Sequence, residues 1–294
     1  MAAQPTVPGA VPDLGEAPAP ARPRMSTRNR LLFFLTAWLL VLMPFLFWWS
    51  TWFGRALNDK EMREYLNDNT HPRHIQHAIV QLGQRMSHGD ASAARWYGDL
   101  VRLSSNSREE VRSTDAWVMG QDTAGPGFHE ALLKLLNDPS MVVRGNAALS
   151  LVRFGDSSGR AQIVSLLQPI VITAPAAGRV MDTAGIGTAV HEGGLIAKLQ
   201  RQDGQTDEVR SPITGRVRTL TAVTASSVTA GATIATVDPG EEQVWEALRA
   251  LYLIGRVDDL SAIRPYQKEL PEVPERLRQQ ALDTEHAIQA RANK

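Results

Sequence analysis

The chain has 294 residues, 43% of them apolar, which is room for one large domain or two modest ones. Lys plus Arg and Asp plus Glu each number 31, so no net field would draw nucleic acid or an acidic substrate. The absence of cysteine excludes thiol catalysis, thiolate metal sites, iron–sulfur clusters and disulfides together.

Residues 1–30 scatter prolines from Pro5 to Pro23 among alanines without apolar periodicity, which predicts a disordered tail. Residues 31–53, LLFFLTAWLLVLMPFLFWWSTWF, carry no charge and are long enough to cross a hydrocarbon core of about 30 Å. Their Leu, Phe and Val residues sum to an insertion free energy on the order of −5 kcal/mol. Trp48, Trp49 and Trp52 cluster at one end, where indole rings favour the headgroup layer. Arg22, Arg24, Arg28 and Arg30 precede the span, whereas Arg55 and Lys60 beyond it are offset by Asp59 and Glu61. The expectation is a single-pass protein of the inner (plasma) membrane, N-terminus cytoplasmic and the remainder periplasmic or otherwise extracytoplasmic. A cleaved signal peptide fits less well, because the apolar run is too long and no small-x-small site follows it.

Residues 54–169 have helical periodicity. Ile75, Ala78, Ile79, Leu82 and Met86 make one stripe, and His71-Pro72 is a good helix start. Val111-Arg112 with Ala116-Trp117 returns 32 positions later as Val143-Arg144 with Ala148-Leu149, the period of stacked helical pairs. Residues 135–156, LLNDPSMVVRGNAALSLVRFGD, resemble a HEAT repeat of the short type seen in phycobilin-lyase-related proteins. That resemblance implies a turn at Asp138-Pro139 and a packed face of Val142, Ala147, Ala148 and Leu151. It also implies that Arg144, and Arg112 in the preceding copy, bond loop groups between repeats. The preceding copy, 107–122, carries Asp115 where the next has Ala147. A degenerate third copy matches Ala247, Leu251 and Gly255 to Ala147, Leu151 and Gly155.

Residues 170–239 change to short Val, Thr and Ile runs broken by Gly and Pro, which is strand composition. Ala174-Pro175 with Gly178-Arg-Val recurs 37 residues on as Ser211-Pro212 with Gly215-Arg-Val. Each copy closes alike, with Gly193 in the first and Gly231 in the second. The reading is two four-strand halves, with each Pro breaking an edge and each Gly turning a corner. This two-halved pattern resembles the biotinyl/lipoyl-type barrel-sandwich hybrid, also found in the membrane-fusion (HlyD-like) periplasmic adaptors. A carrier of that kind holds its lysine about seven residues before the second Ser-Pro. That position here is Gly204, within Gln202-Asp203-Gly204-Gln205, and Lys198 lies back in the preceding strand. The comparison therefore predicts neither biotin nor lipoate, and no cofactor. Fusion adaptors insert a long coiled coil at this hairpin, and this chain inserts nothing. Ala225 stands where the usual turn glycine would be.

Residues 240–294 return to helices, with one stripe at Val244, Ala247, Leu248, Leu251 and Ile254 and a weaker one at Leu277, Ala281, Thr284 and Ile288. The fold class expected is multidomain α + β: a transmembrane helix, an α-solenoid of HEAT repeats and an all-β barrel-sandwich hybrid, the last placed as an insertion between repeats.

Candidate chemistry is sparse. His71, His74 and His77 stand at i, i+3 and i+6, and two imidazoles three apart on a helix are able to share a metal. His71 falls at the cap, the third is rotated away and no neighbouring carboxylate completes the set, so the expectation is a polar face and no metal. His191-Glu192 lacks a metalloprotease's second histidine, and Gly185-Ile-Gly187 lacks the rest of a dinucleotide fingerprint. No P-loop and no G-x-S-x-G occurs. Trp96, Trp117 and Met119 lie on helical stripes and read as core, with any exposed member a binding hot spot. With no catalytic residue assigned, the expected function is a non-enzymatic scaffold or adaptor binding a transporter, secretion or envelope complex. A structural or regulatory subunit of a membrane enzyme complex is the alternative, and an unrecognised envelope hydrolase is the third reading.

Overall fold

The fold is that of a computed structural model, which describes residues 26–52, 56–270 and 272–293, the side chains of 47–52 excepted. The chain divides into two compact units, Met1–Ala56 and Leu57–Lys294.

In the first unit α1 (Thr27–Trp52) starts four residues earlier than the charge-free run, because Ser26 accepts the Asn29 N–H at 3.3 Å and so caps the polar first turn. Thr27–Leu46 has a mean hydropathy of 1.8, and the helix is long and apolar enough to cross a membrane. Its apolar side chains, Leu31, Phe34 and Trp38 among them, are exposed. The side chains of Trp48, Trp49 and Trp52, expected at the interface, lie outside the described residues, as does the tail up to residue 25.

The second unit opens with helices. They are α2 (Asp59–Leu66), α3 (Pro72–Ser87), α4 (Tyr97–Leu103), α5 (Glu109–Met119), α6 (Phe128–Leu135), α7 (Met141–Arg153) and α8 (Arg160–Ser165). Local chemistry sets their starts: Asn58 and Glu61 make a reciprocal capping box for α2, Pro72 occupies the first turn of α3, and Ser140 caps α7. After the β segment come α9 (Glu241–Ile254), the short α10 (Leu260–Ile263) and α11 (Glu275–Ala292). Successive helices pack side by side, α3 on α5, α5 on α7, α7 and α8 on α9, and α9 on α11. The stripe Ile75, Ala78, Ile79, Leu82 shares one hydrophobic core with Val244, Ala247, Leu251 and Leu277, so helices on both sides of the β segment form a single body. Each fully buried Leu or Ile in it contributes about 1.5–3 kcal/mol. Residue 142 departs from expectation: Val142 is half-buried, and Val143 fills the core in its place with Ala147 and Leu151, while the α7 side that meets α5 carries Asn146, Ser150 and Arg153.

Eight strands fill the insertion: β1 (Ile170–Thr173), β2 (Gly178–Thr183), β3 (Ala189–Val190), β4 (Leu195–Gln200), β5 (Thr206–Arg210), β6 (Gly215–Leu220), β7 (Ser227–Val228) and β8 (Thr233–Pro239). They form two antiparallel sheets, ordered β1-β8-β6-β3 and β5-β4-β2-β7. Matching β1 to β5, β2 to β6, β3 to β7 and β4 to β8 turns the first order into the second. The sequence duplication is therefore an approximate two-fold that exchanges the sheets. Each sheet takes two strands from each half, so the halves are interleaved rather than folded side by side. Ile172, Val180, Ile196, Val217, Ile234 and Val237 point between the sheets into a second, separate core.

Candidate functional site

Arg112, Asp138 and Arg144 meet at the joint between the α5 and α7 layers. The Arg112 guanidinium forks onto Asp138, Nε to Oδ2 at 2.6 Å and Nη2 to Oδ1 at 2.9 Å, and its Nη1 donates to the Asn106 carbonyl at 2.8 Å. Asp138 Oδ1 also accepts the Ser140 N–H at 2.9 Å, while Arg144 donates to the carbonyls of Asp138 and Pro139 at 2.6 and 2.9 Å. Burial alone would raise the Asp138 carboxyl, but the Arg112 fork, the Ser140 amide and Arg144 outweigh it and hold it below the usual carboxylate range. Further along, Arg160 pairs through one nitrogen with buried Asp259, between α8 and the turn before α10. These are joints between layers, not chemistry.

The β motif residues also come together in pairs across the approximate two-fold. The Ala174 N–H donates to the Ala232 carbonyl at 2.9 Å, and its own carbonyl accepts from Gly231 at 2.8 Å. Ser211 repeats the arrangement with Gly194 and Gly193, at 2.8 and 2.7 Å. Pro175 and Pro212 follow each crossing, where no ladder N–H is needed. Gly178 and Gly215 open β2 and β6 under close backbone cover: a Cβ on Gly178 would lie 2.8 Å from the Gln200 carbonyl oxygen, and one on Gly215 would overlap that of Asp238. At the β4–β5 hairpin Gly204 takes φ +83°, and Arg201 pairs with Asp207 across the turn at 2.5 Å. Lys198 is on β4 opposite Glu208, away from the tip.

Where the β module meets the helices, a cleft of about 1320 Å³ opens between α5, α7, α9, α11 and the turns ending in Glu192 and Thr214. Met141, the first residue of α7, packs against the β core, and the Gly240 N–H donates to the Thr214 carbonyl at 2.9 Å, which ties module to helices at the cleft's end. The floor is braced: Asn146 donates to Ser113 Oγ at 2.9 Å, Ser150 to the Ala116 carbonyl at 2.8 Å, and Arg153 to Gln121 at 3.0 Å. Onto that floor Trp117 presents an indole that is 49% exposed, joined by Leu253 and Tyr252 at 60% and 43%. Trp96 and Met119, from the same stripes, are buried. Acids crowd the rim, with Glu192, Glu241, Glu242, Glu246 and Asp283 against Arg153 and Arg249. The Glu192 carboxyl is raised above its usual range, first because protein on one side displaces water and second because Glu109 repels its charge.

No protein-family model matches the chain, and no curated protein matches it. Eighteen chains of known structure do match. One is a single-chain, multi-domain long-chain acyl-CoA carboxylase, with 16% identity and a TM-score of 0.24 over 35% of this chain and 10% of that one. Another is an engineered protein, with 18% identity and a TM-score of 0.39 over 79% of this chain and 80% of that one. At these TM-scores neither likeness identifies a fold, and the site has to be read from its own residues.

Two groups had escaped the linear reading. The cleft gathers residues from 117 to 290, which no local pattern brings together. The expectation that no carboxylate stands near His71 and His74 is corrected: Asp68 bonds both, because the loop Asp68–His71 turns back on itself ahead of Pro72. The spacing Asp, then His three and six positions on, was the available signal. His77 does point elsewhere, its Nε2 2.6 Å from the Gln81 amide nitrogen.

Proposed function

We propose that the chain is a membrane-anchored, non-enzymatic scaffold in which HEAT-like helices and an embedded biotinyl/lipoyl-like barrel-sandwich hybrid hold a segment of a transporter, secretion or envelope complex. The observation that carries this reading is the braced cleft with Trp117, Tyr252 and Leu253 exposed on its floor. Partly exposed aromatic and aliphatic side chains on a rigid base are the usual anchors of a protein interface, and truncating one typically costs about 2 kcal/mol or more of binding. The acidic rim favours a segment that brings apolar side chains flanked by basic ones. Asp203 and Gly204 at the hairpin tip offer no amine to modify, which favours a binding over a carrying role for the β module. The apolar α1 and the arginines in and before its first turn favour a single inner-membrane span with the folded residues exported.

The test is gentle detergent extraction of the tagged full chain from native membranes, beside Trp117→Ala and Leu253→Asp, with mass spectrometry of what co-purifies. A transporter or envelope channel in fixed ratio, reduced at least tenfold by either variant, is the expected result. A respiratory or biosynthetic complex would instead make the chain an accessory subunit. Recovery unchanged by both variants would remove the cleft from the interface.

A further inference from the structure

Away from the cleft, three side chains converge where the chain enters α3. Asp68 uses one oxygen to hold its own loop: Oδ1 accepts the Thr70 N–H at 3.1 Å, the Thr70 hydroxyl at 2.5 Å and the His71 N–H at 3.2 Å. The other oxygen, Oδ2, is faced by two imidazole nitrogens, His71 Nδ1 at 2.9 Å and His74 Nδ1 at 2.7 Å. One ligand atom from each residue falls within 4.8 Å of the other two. The placement follows from the sequence. Pro72 in the first turn makes His71 the cap and His74 the third helical residue, so both rings hang on the side to which the Asp68 turn returns. Tyr65 of α2 stacks on the His74 ring at 4.4 Å between centroids and 11° between planes, which fixes that ring's orientation.

As a purely hydrogen-bonded group the arrangement has one carboxylate oxygen serve two imidazole donors when both rings carry their proton on Nδ1, and His71 Nδ1 lies 2.8 Å from the Thr70 hydroxyl as well. A divalent cation in place of those two protons satisfies the same three atoms at once. Zinc takes imidazole nitrogen and carboxylate oxygen at about 2.0–2.2 Å in tetrahedral geometry, which spaces its ligands by roughly 3.3 Å. The pairs seen here need to open by only about half an ångström, and exposed His71 has the freedom to move. His71 and His74 also line a cavity of about 410 Å³ with Gln76 and Glu110, which leaves room beside the two rings for water or a ligand from outside. We propose that Asp68, His71 and His74 form a divalent-metal site of the zinc type, outside the cleft and independent of whatever the cleft binds.

The experiment uses the full chain in detergent, carrying a tag without histidine, stripped with chelator and titrated with zinc chloride by calorimetry. One equivalent is expected, with affinity falling at least tenfold in His71→Ala and in His74→Ala and unchanged in His77→Ala. His71→Ala is the decisive variant, because its side chain is exposed and its loss leaves the Thr70 contacts of Asp68 in place. Cobalt(II) supplies a readout that does not depend on stability: visible d–d bands in the wild type that His71→Ala abolishes. No saturable binding, or the same isotherm in the wild type and both ligand variants, overturns the proposal.

Discussion

Between the α5 and α7 layers the joint is made by side chains, with a guanidinium fork on Asp138 and a second arginine on the loop carbonyls. Between the two halves of the β module it is made by main chain, with Ala174 against Gly231 and Ala232, and Ser211 against Gly193 and Gly194. The first joint is as specific as its charges and as vulnerable as any one of them. The second is indifferent to many side chains and intolerant of a Cβ where backbones touch. This explains how the module sits within one helical body while keeping a hydrophobic core of its own.

The largest effect should come from removing a charge at the helical joint. Arg112→Ala leaves Asp138, 9% exposed, without its counter-ion and is expected to cost about 3–5 kcal/mol in chemical denaturation. Arg112→Lys keeps the charge without the fork and should fall between. Because the folded Asp138 pKa lies below its unfolded value of about 3.9, the joint's contribution is complete above that pH and is lost as pH falls through the folded value. The wild type and Arg112→Ala should therefore converge in acid. A gap that stays constant from neutral pH to strong acid would place the stabilisation elsewhere.

Next is Gly215→Ala, which drives a methyl into the Asp238 carbonyl and should cost about 1–3 kcal/mol, with Gly178→Ala somewhat less against Gln200. If either glycine variant proves neutral, the main-chain joint has more slack than its geometry implies.

A third variant tests the helical side in the opposite direction. Asp115 is fully buried in α5 with both carboxylate oxygens unpartnered, where the next copy has Ala147. Burial raises its pKa well above the ordinary value, and Arg102 offsets this only in part. The folded state must hold the group neutral, so the penalty is absent below the unfolded pKa of about 3.9 and grows as pH rises toward the folded value. Asp115→Ala is expected to stabilise by about 1–3 kcal/mol at pH 7 and by less near pH 4. A destabilised Asp115→Ala would mean that the carboxyl has a partner worth keeping.

Patterns that recur locally were legible in the sequence. The stripes at 75–86, 244–251 and 277–288 are buried because helical periodicity alone decides which face packs. The duplicated Ala174/Ser211 and Gly178/Gly215 phrases occupy equivalent places because the same backbone crossing occurs twice. What was not legible depends on the third dimension. Interleaving of the halves and the exposure of Trp117 against the burial of Trp96 arise from packing between segments that no local spacing encodes, whereas the return of Asp68 onto two imidazoles was signalled locally, by an Asp with His three and six positions on. Val142 and Val143 show the limit on one helix: adjacent valines are equal in composition, and only the packed structure sends Val143 into the core and Val142 to the cleft.

The smallest effect probes the two-fold inside the β module. After β2 the Gly187 N–H donates to the Val217 carbonyl at 2.8 Å, and after β6 the Ala225 N–H donates to the Val180 carbonyl at 2.7 Å, so the two turns are counterparts. Both are left-handed, with φ of +81° at Gly187 and +71° at Ala225. Ala225 is the one described residue other than glycine in that region. An L side chain there costs about 1–2 kcal/mol, whereas glycine's extra freedom when unfolded gives back about 0.4–1. Ala225→Gly should therefore stabilise by about 0.5–1 kcal/mol. Gly187→Ala, whose added methyl would meet nothing within 4 Å, should destabilise by the same amount. Because Ala225 is exposed and a methyl at Gly187 would meet nothing, equal and opposite shifts in denaturation midpoint would isolate backbone strain as the cause. Unequal shifts would show that the two halves, alike in hydrogen bonding, differ in how tightly they hold their turns.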